Sequence, residues 1–436
     1  MIQTTAKKPG RVWLQSPFFL PAIGVFAGFV AFAVLLAMLS PAPPRIVMMA
    51  TGAPGSVYAE IGEHYRALLA RHGVSLQLVP TNGAVDNVRL LGDESSGVSV
   101  AFVQGGIVEA AQAPELLSLG TVFYEPLWFF SRGDLPRTPA NMLKGRRISI
   151  GPEGSGTRKL ASELIVALGL DVTGTELLDL TSQDAGANLL RGEIDMAVMV
   201  APWEYTVVRQ LLASERMNAM SFPRADAHIA LRPYLNKLIV PQGVADLARN
   251  RPPADLVLVA PKCSLVVRED LHPAIQYLLL EAASQLHSKP GIFQRTGQFP
   301  AAEPIDLPLS EHAQHFYQTG PPFLQRYLPF WMAVFVARFL VLLIPILGVA
   351  YPLLRMMQAI FGWGMRVRIF NLYGKLKFLE ADLEARAPGT SAEDLRESLE
   401  DIEFRAKRMQ VPVAFAHMLY SLRAHIALVR ARLAQR

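Results

Sequence analysis

Three glycine-rich loops in this chain could bind an anion through backbone N–H groups. Each follows an apolar run and precedes an amphipathic segment, and they read Thr51-Gly-Ala-Pro-Gly-Ser56, Gln104-Gly-Gly106 and Gly151-Pro-Glu-Gly-Ser-Gly-Thr157. A strand that enters a helix through such a loop leaves the first N–H groups of the helix unpaired, and the helix start carries about half a positive charge. Helix starts of this kind bind carboxylates and phosphates. The pattern therefore predicts a small anionic ligand in a crevice of an α/β domain.

The loop at residues 151–157 superficially resembles the phosphate loop of nucleotide hydrolases. That motif needs Lys and then Ser or Thr after its last glycine, whereas this chain continues with Thr157 and Arg158. A nucleotide's Mg²⁺ and γ-phosphate would therefore lack their ligands. The remaining interpretations are a site that offers N–H groups and the hydroxyls of Ser155 and Thr157 to an oxyanion, or a purely structural strand–helix turn.

Further candidate ligand-binding residues lie in and beside the other loops. Gly52, Gly55 and Ser56 belong to the first loop, and the ring of Tyr58 could form one wall of a site. Asn82 follows an apolar run and could present its amide, although a plain β-turn fits the same residues. Gln104 ends another run, where its amide could bind an amino or carboxylate group.

The sequence contains no recognisable catalytic centre. Hydrolase and protease signatures are missing, and paired carboxylates have no supporting context. His312 and His315 lack a third ligand nearby in sequence, so we expect neither a metal nor a cofactor. The single Cys263 lies in a predicted strand and is interpreted as a small buried hydrophobe. No basic stripe interleaved with aromatic residues is present, which argues against nucleic-acid binding.

Alternating strands and helices follow the Pro-rich segment at residues 41–44 and predict largely parallel α/β sheets. The predicted strands are Ile46–Ala50, Val74–Pro80, Val98–Val103, Ile148–Gly151, Leu177–Leu180 and Met196–Val200. Two longer extended stretches, 121–130 and 255–267, could each run from one sheet into another. Two crossings would divide the region 43–320 into lobe I, about 45–125 plus 262–318, and lobe II, about 130–255.

Two apolar blocks flank this region. The first, about 18–39, contains 22 uncharged residues from Phe18 to Leu39, enough to cross a hydrocarbon core of about 30 Å. A cleaved signal peptide is the alternative, but the block is longer than usual for one and residues 38–41 make a poor cleavage site. The second block, 330–354, is interrupted only by Arg338. We expect two transmembrane helices, the first in an N-terminal segment 1–42.

Charge is distributed unevenly around the two blocks. Residues 1–17 carry three basic residues and no acidic one, and residues 355–436 carry 14 basic and 9 acidic residues. The part between them has 25 basic and 28 acidic residues. The positive-inside rule therefore places both termini in the cytoplasm and the middle outside, with the basic residues after the second span near membrane lipid.

The tail at residues 355–436 has a helical pattern. Residues 365–386 are broken by Ala387-Pro-Gly-Thr390, Ser391 and Asp394 resemble a capping box, and Pro412 can begin a third helix. In that helix an apolar seam recurs at alternating spacings of four and three, typical of coiled coils: Phe415, Leu419, Leu422, Ile426, Val429 and Leu433. The seam could be covered by the tail's own helices, by a second copy of the chain or by a cytoplasmic partner.

An ordered set of motifs resembles the TAXI family of solute-binding proteins, which serve tripartite ATP-independent periplasmic (TRAP) transporters. The set is Thr51-Gly-Ala-Pro-Gly-Ser-Val-Tyr58, Pro80-Thr-Asn-Gly-Ala-Val-Asp-Asn87, Ala101-Phe-Val-Gln104, Gly151-Pro-Glu-Gly-Ser-Gly-Thr157 and Gly192-Glu-Ile-Asp195. The resemblance covers about residues 45–315. It implies a two-lobed type II periplasmic-binding-protein fold that closes over a small organic acid or amino acid.

The resemblance also implies which residues face the ligand. These are Gly52, Gly55, Ser56, Tyr58, Asn82, Gln104, the loop Ser155, Gly156 and Thr157, and a further cleft-lining turn at Pro202 and Trp203. The chain departs from the family at Ala53-Pro54, where further glycine is frequent, so a donor is lost at Pro54. Most members are secreted or lipid-anchored, whereas this chain is similar to membrane-anchored relatives.

Together these features suggest a non-enzymatic solute receptor of the bacterial inner membrane with its binding domain in the periplasm. Its ligand would be a dicarboxylate, keto acid or amino acid, and its partners the TRAP permease subunits. An alternative is a transmembrane sensor or adaptor that signals to a cytoplasmic partner through the helical tail.

Overall fold

The computed structural model describes residues 28–30, 32–33, 42–133, 142–222, 224–385 and 392–434. The chain forms two compact units, of which one comprises Ala42–Ala337 and the other comprises Met1–Pro41 with Arg338–Arg436. The first unit contains two α/β lobes, so the two-lobed α/β architecture predicted from sequence is confirmed.

Lobe I is built on a mixed sheet whose parallel part is the β2-β1-β3 ladder. A long strand, β11 (Leu256–Arg268), pairs antiparallel with β3 on one side and with β4 on the other. The elements of this lobe are β1 (Ile46–Ala50), α1 (Val57–Arg71), β2 (Ser75–Val79), α2 (Ala84–Gly92), β3 (Val98–Gln104) and β4 (Leu116–Tyr124).

Lobe II contains a five-stranded sheet in the order β7-β6-β8-β5-β9, with β6 parallel to both of its neighbours. Its strands are β5 (Leu127–Arg132), β6 (Arg147–Ser149), β7 (Glu176–Leu178), β8 (Met196–Val200) and β9 (Met217–Ala219). Its helices are α3 (Gly156–Ala167), α4 (Ser182–Arg191), α5 (Thr206–Ala213) and α6 (Ala225–Leu231). The Gly192–Asp195 motif is structural here, since Asp195 accepts hydrogen bonds from the side chain and the backbone N–H of Arg147.

The two lobes are joined by extended chain. Residues 125 and 126 connect β4 of lobe I to β5 of lobe II, and the return passes along β11 (Leu256–Arg268). The first half of β11 pairs with β10 (Leu235–Val240) and packs in the core of lobe II, whereas its second half belongs to the sheet of lobe I. The two connecting segments are held together by a hydrogen bond from the Glu125 N–H to the Pro261 carbonyl at 2.9 Å.

Each lobe has its own apolar core. Lobe I packs α1 and α7 (Pro273–His287) against one face of its sheet, around Tyr65, Phe102 and Leu279. Lobe II packs its helices around Trp128, Phe130 and Met199, all fully buried. The remaining helices of this region are α8 (Glu311–Thr319) and α9 (Phe323–Tyr327).

The described helices that follow are α10 (Phe330–Ala385), α11 (Ala392–Arg408) and α12 (Ala416–Ala434). Among the residues that the structure describes, no helix combines the length and the sustained apolar character needed to cross a membrane. The predicted spans are thus not seen. The first, 18–39, falls mostly outside the described residues, and the second, 330–354, lies within α10.

The apolar seam of the tail is buried by the same chain. Leu419, Leu422 and Ile426 of α12 belong to one core with Ile369 and Leu376 of α10. Leu399 and Ile402 of α11 complete this core. Of the three coverings left open by the sequence, the structure contains the self-packed one.

Candidate functional site

A cavity of about 80 Å³ lies between the two lobes. One water needs about 10–15 Å³ on this measure, so the space suits a small organic molecule. Loops that follow strands of both sheets line it, in the crevice where open α/β sheets place their ligands. The lining residues are Gly52, Ala53, Ser56, Val57, Tyr58, Asn82, Gly83, Ala84, Gln104, Glu125, Gly151, Pro152, Ser155, Gly156, Thr157, Thr181, Ser182 and Val200.

Four helices begin at this cavity, two from each lobe. Helices α1 and α2 start at Val57 and Ala84 in lobe I, and α3 and α4 start at Gly156 and Ser182 in lobe II. Each helix start carries about half a positive charge together with N–H groups that have no partner in the helix. Because no Lys or Arg is found among the described residues that line the cavity, its positive partial charge comes from the helix starts.

The capping hydroxyls at these helix starts serve the helices themselves. Ser56 accepts from the Ala59 N–H at 3.4 Å, Ser155 from the Arg158 N–H at 3.1 Å, and Thr181 from the Asp184 N–H at 3.2 Å. Such caps are typically worth about 1 kcal/mol of helix stability.

Other backbone N–H groups in the first turns of these helices remain unpaired. The amides of Val57, Tyr58, Gly156 and Thr157 donate to no acceptor within the described parts of the chain. These four N–H groups are therefore available to a ligand.

Several hydroxyl and amide groups predicted to meet the ligand have partners in the protein. The Ser155 hydroxyl also donates to the Pro152 carbonyl at 2.7 Å, and Thr157 Oγ1 accepts from the Val200 N–H at 3.2 Å. The Asn82 side-chain amide donates to Asp86 at 3.0 Å, at the exposed rim. These residues line the cavity, but their polar side-chain atoms already hold the surrounding loops in place.

Gln104 and Gly156 approach each other closely across the cleft. The Gln104 side-chain amide donates to the Gly156 carbonyl at 3.3 Å. A Cβ atom at position 156 would lie only 2.4 Å from Gln104 Oε1. A larger residue at the start of α3 would therefore require the Gln104 side chain to move from this position.

Other contacts between the lobes show that the cleft is closed. The Lys159 ammonium of α3 donates to the Gly106 and Ile107 carbonyls of lobe I, both at 2.9 Å. The Tyr205 hydroxyl of lobe II donates to the Gly55 carbonyl at 2.9 Å. In addition, the Gly154 carbonyl accepts from two N–H groups at the start of α2.

Eight of the eleven predicted site residues surround the cavity, and three do not. The eight are Gly52, Ser56, Tyr58, Asn82, Gln104, Ser155, Gly156 and Thr157. Gly55 lies in the contact between the lobes, where a Cβ would collide with Gln183 of α4. Pro202 is buried and Trp203 packs against the core of lobe II. Ligand contact by any of the eleven stays a prediction.

Glu125 is the lining residue of most chemical interest that the sequence argument missed. Its side chain is 3% exposed, and the buried Tyr58 hydroxyl donates to its Oε2 at 3.1 Å. A signal was present, because Glu125 is the single charged residue in the apolar run from Leu116 to Ser131. The glycine-rich loops themselves give no indication that a charged side chain lies beside them.

Burial alters the acid–base behaviour of the groups around Glu125. Loss of solvation raises the pKa of Glu125 to about 8, against a smaller lowering by the Tyr58 hydrogen bond. Burial also raises the pKa of Tyr58 and of the Cys263 thiol well above their usual ranges. At neutral pH the carboxyl of Glu125 is therefore mostly protonated in the closed cleft.

Solved structures with a similar chain path align at low identity. They include a protein from Bordetella bronchiseptica (16% identity, 56% of this chain and 70% of that one, TM-score 0.39). The substrate-binding protein of an amino acid ABC transporter aligns at 13% identity (55% and 92%, TM-score 0.34). The periplasmic aliphatic sulphonate-binding protein of Escherichia coli aligns at 14% (56% and 68%, TM-score 0.33). Because these TM-scores are below 0.5, the structural similarities do not indicate a function for this chain.

The sequence itself matches a family model. Residues 49–319, more than half of the chain and almost all of the two-lobed unit, match the model of the NMT1-like family. All of the residues that line the cavity lie within the matched range. The chain therefore belongs to the NMT1-like family.

Proposed function

We propose that this protein is a solute-binding protein whose two lobes close over a small organic ligand bearing a carboxylate. The observation that carries the proposal is the meeting of four helix N-termini, two from each lobe, at one closed cavity. A carboxylate bound there accepts hydrogen bonds from both lobes at once. Ligand binding then favours the closed state, because only that state brings the two sets of donors together.

The free amides give this proposal its geometry. Those of Val57 and Tyr58 belong to lobe I, and those of Gly156 and Thr157 belong to lobe II. Hydrogen bonds to a charged group contribute about 1.5–3 kcal/mol each, so two or three of them supply a large part of the roughly 8 kcal/mol that micromolar binding requires. The site requires no bond-making step, and we assign no catalytic activity to it.

The finer parts of the proposal rest on the sequence. The motif resemblance favours a TAXI-type receptor that delivers its ligand to TRAP permease subunits. The apolar blocks at 18–39 and 330–354 and the basic charge outside them favour two membrane anchors, with the cleft in the periplasm and both termini in the cytoplasm. Reporter fusions after residues 10, 200 and 430 test that topology, and a periplasmic signal at 430 would contradict it.

A sensor or adaptor role through the tail is the alternative function. It drew its support from an apolar seam in need of a partner, and α10 and α11 cover that seam. We therefore favour transport, in which deletion of the tail leaves uptake intact. Ligand-dependent capture of a cytoplasmic protein by the tail would favour the sensor.

The test is a calorimetric titration of the purified full chain with amino acids, keto acids and dicarboxylates of three to five carbons. The variant Gly156→Ala puts a methyl group against the Gln104 side chain, which must then move for the cleft to close, and should weaken binding. The variant Gly374→Ala is the matched control, because a Cβ there meets nothing within 4 Å. Absence of binding by the folded parent chain would refute the proposed function.

A further inference from the structure

The carboxyl of Glu125 lies at the floor of the cavity, and one of its two oxygens accepts no hydrogen bond from the described residues. Tyr58 is the one residue that donates a hydrogen bond to this carboxyl among the described residues, and it does so to Oε2. The other oxygen has no protein donor there, although the side chain lines the cavity. The position of Tyr58 is fixed because its ring centroid lies 5.4 Å from that of Phe102. The position of Glu125 is fixed because its backbone N–H donates a hydrogen bond to the Pro261 carbonyl.

Among the described residues, the groups around the Glu125 carboxyl include no cation that could pair with its ionised form. Tyr58 faces it from α1 and the Cys263 thiol acts on it from β11, and both are neutral at physiological pH. Lys262 is engaged elsewhere, since its ammonium pairs with Glu303 and lies 5.4 Å from the Tyr124 ring centroid. Among the described residues that line the cavity there is no Lys, Arg or His. Any compensating positive charge must therefore arrive with a ligand.

We propose that Glu125, positioned by Tyr58, is the specificity-determining residue of the cleft and accepts the ammonium group of a zwitterionic ligand. The inference rests on the proposed function, which places the ligand's carboxylate on the helix starts. The cleft then matches both ends of an amino acid, with positive helix termini for the carboxylate and a negative side chain for the ammonium. A dicarboxylate would bring a second negative charge toward Glu125, and a hydroxy acid would leave an ionised Glu125 uncompensated.

Proton release accompanies this mode of binding. In the closed cleft Glu125 holds a proton, which is released to solvent when the carboxylate forms and pairs with the ligand's ammonium group. With a pKa of about 8, the ionised fraction falls from about one half at pH 8 to about one hundredth at pH 6. The affinity for an amino acid should therefore fall about fifty-fold between these two pH values, whereas that of a keto acid should not.

The experiment compares ligands that differ only in the group meant for Glu125. The full chain is titrated calorimetrically at pH 6, 7 and 8 with three matched sets: alanine, lactate and pyruvate; aspartate, malate and oxaloacetate; glutamate, 2-hydroxyglutarate and 2-oxoglutarate. In the set that fits the cavity, we expect the amino acid to bind at least tenfold tighter at pH 8 than its two analogues. Runs in buffers of different ionisation enthalpy should show release of about one proton at pH 7.

Two variants and a control separate specificity from folding. Glu125→Gln keeps the shape and the Tyr58 contact but should bring the affinity ratio of amino acid to keto acid close to one. Tyr58→Phe removes a hydrogen bond that lowers the pKa of Glu125, so its affinity should begin to fall at a higher pH. Glu163→Gln is the control, because Glu163 accepts a hydrogen bond from Tyr234 at the same 3.1 Å but lies outside the cavity lining.

Each result has a distinct meaning. Tighter binding of a keto or hydroxy acid than of the matched amino acid, or an affinity ratio unchanged in Glu125→Gln, would overturn the role of Glu125 while leaving the solute-binding function in place. An amino acid affinity that does not vary between pH 6 and 8 would also overturn it. Failure of all nine compounds to bind the folded parent chain would refute the solute-binding function as well.

Discussion

Replacing Glu125 with Gln should make the unliganded protein less sensitive to rising pH. The Glu125 carboxyl has a pKa of about 8 in the fold, compared with an ordinary value of 4.5. Between these values the folded chain keeps a proton that the unfolded chain releases. The contribution of Glu125 to stability is therefore fully present below about pH 4.5 and is lost as the pH rises through 8.

The size of this effect follows from the two pKa values. Each pH unit between them costs up to about 1.4 kcal/mol of unfolding free energy, so the parent should lose about 3.5 kcal/mol from pH 5 to pH 8 through this one group. Gln cannot ionise, and it still offers an oxygen to the Tyr58 hydroxyl. The stability of Glu125→Gln relative to the parent should thus rise by about 3.5 kcal/mol over the same range.

Urea unfolding of the full chain, followed by tryptophan fluorescence at pH 5, 6, 7 and 8, measures this difference. Contributions of the other titrating groups cancel when variant and parent are subtracted. Glu163→Gln provides the control, because Glu163 is only partly buried. The stability of this variant relative to the parent should change little over the same pH range. A flat difference between Glu125→Gln and the parent would show that Glu125 ionises normally in the fold and would refute the electrostatic reasoning.

Three further predictions concern other parts of the molecule. Lys159→Met removes two hydrogen bonds that cross the closed cleft and should lower ligand affinity about tenfold by calorimetry, an effect that unchanged affinity would rule out. In the tail, Leu422→Asp with Ile426→Asp puts two charges in a buried core and should speed tryptic cleavage of residues 392–434, whereas Leu428→Asp, 60% exposed, should not. The pKa of the buried His287 is lowered to about 4 by loss of solvation, so its stabilising effect is fully present above about pH 6.5 and is lost as the pH falls toward 4. Between pH 7 and 4.5 the parent should lose roughly 2 kcal/mol of unfolding free energy in the urea assay that His287→Gln does not lose. Identical acid sensitivity of variant and parent would contradict this.

The parts of the fold that hydrophobic pattern determines were predictable. The strand Met196–Val200 was placed correctly because a short apolar run between polar residues is typical of a buried parallel strand. The short strand Met217–Ala219 was missed, because it is defined by its pairing with β5 rather than by its own three residues. Leu235–Val240 was also missed, since Asn236 and Lys237 interrupt its apolar pattern and the strand forms through its pairing with β11.

The candidate site could be located from the sequence but not resolved into roles. A hydroxyl at a helix start fits both a cap and a ligand contact, and only the structure shows that Ser155 caps α3. Asn82 likewise looked available, but Asp86 four residues later takes its amide. Glu125 could not be assigned, because its importance depends on Tyr58, which is 67 residues away in the chain. The sequence predicts which elements meet at a cleft more readily than which atoms remain free there.

In the proposed function, helix starts of both lobes hold a ligand carboxylate in the closed cleft. A crystal structure of the full chain with the tightest-binding compound of the matched sets tests this most directly. We predict one carboxylate with its oxygens about 3 Å from amide nitrogens of both lobes, at Val57 or Tyr58 and at Gly156 or Thr157. A ligand bound elsewhere, or one whose carboxylate meets neither helix start, would contradict the account.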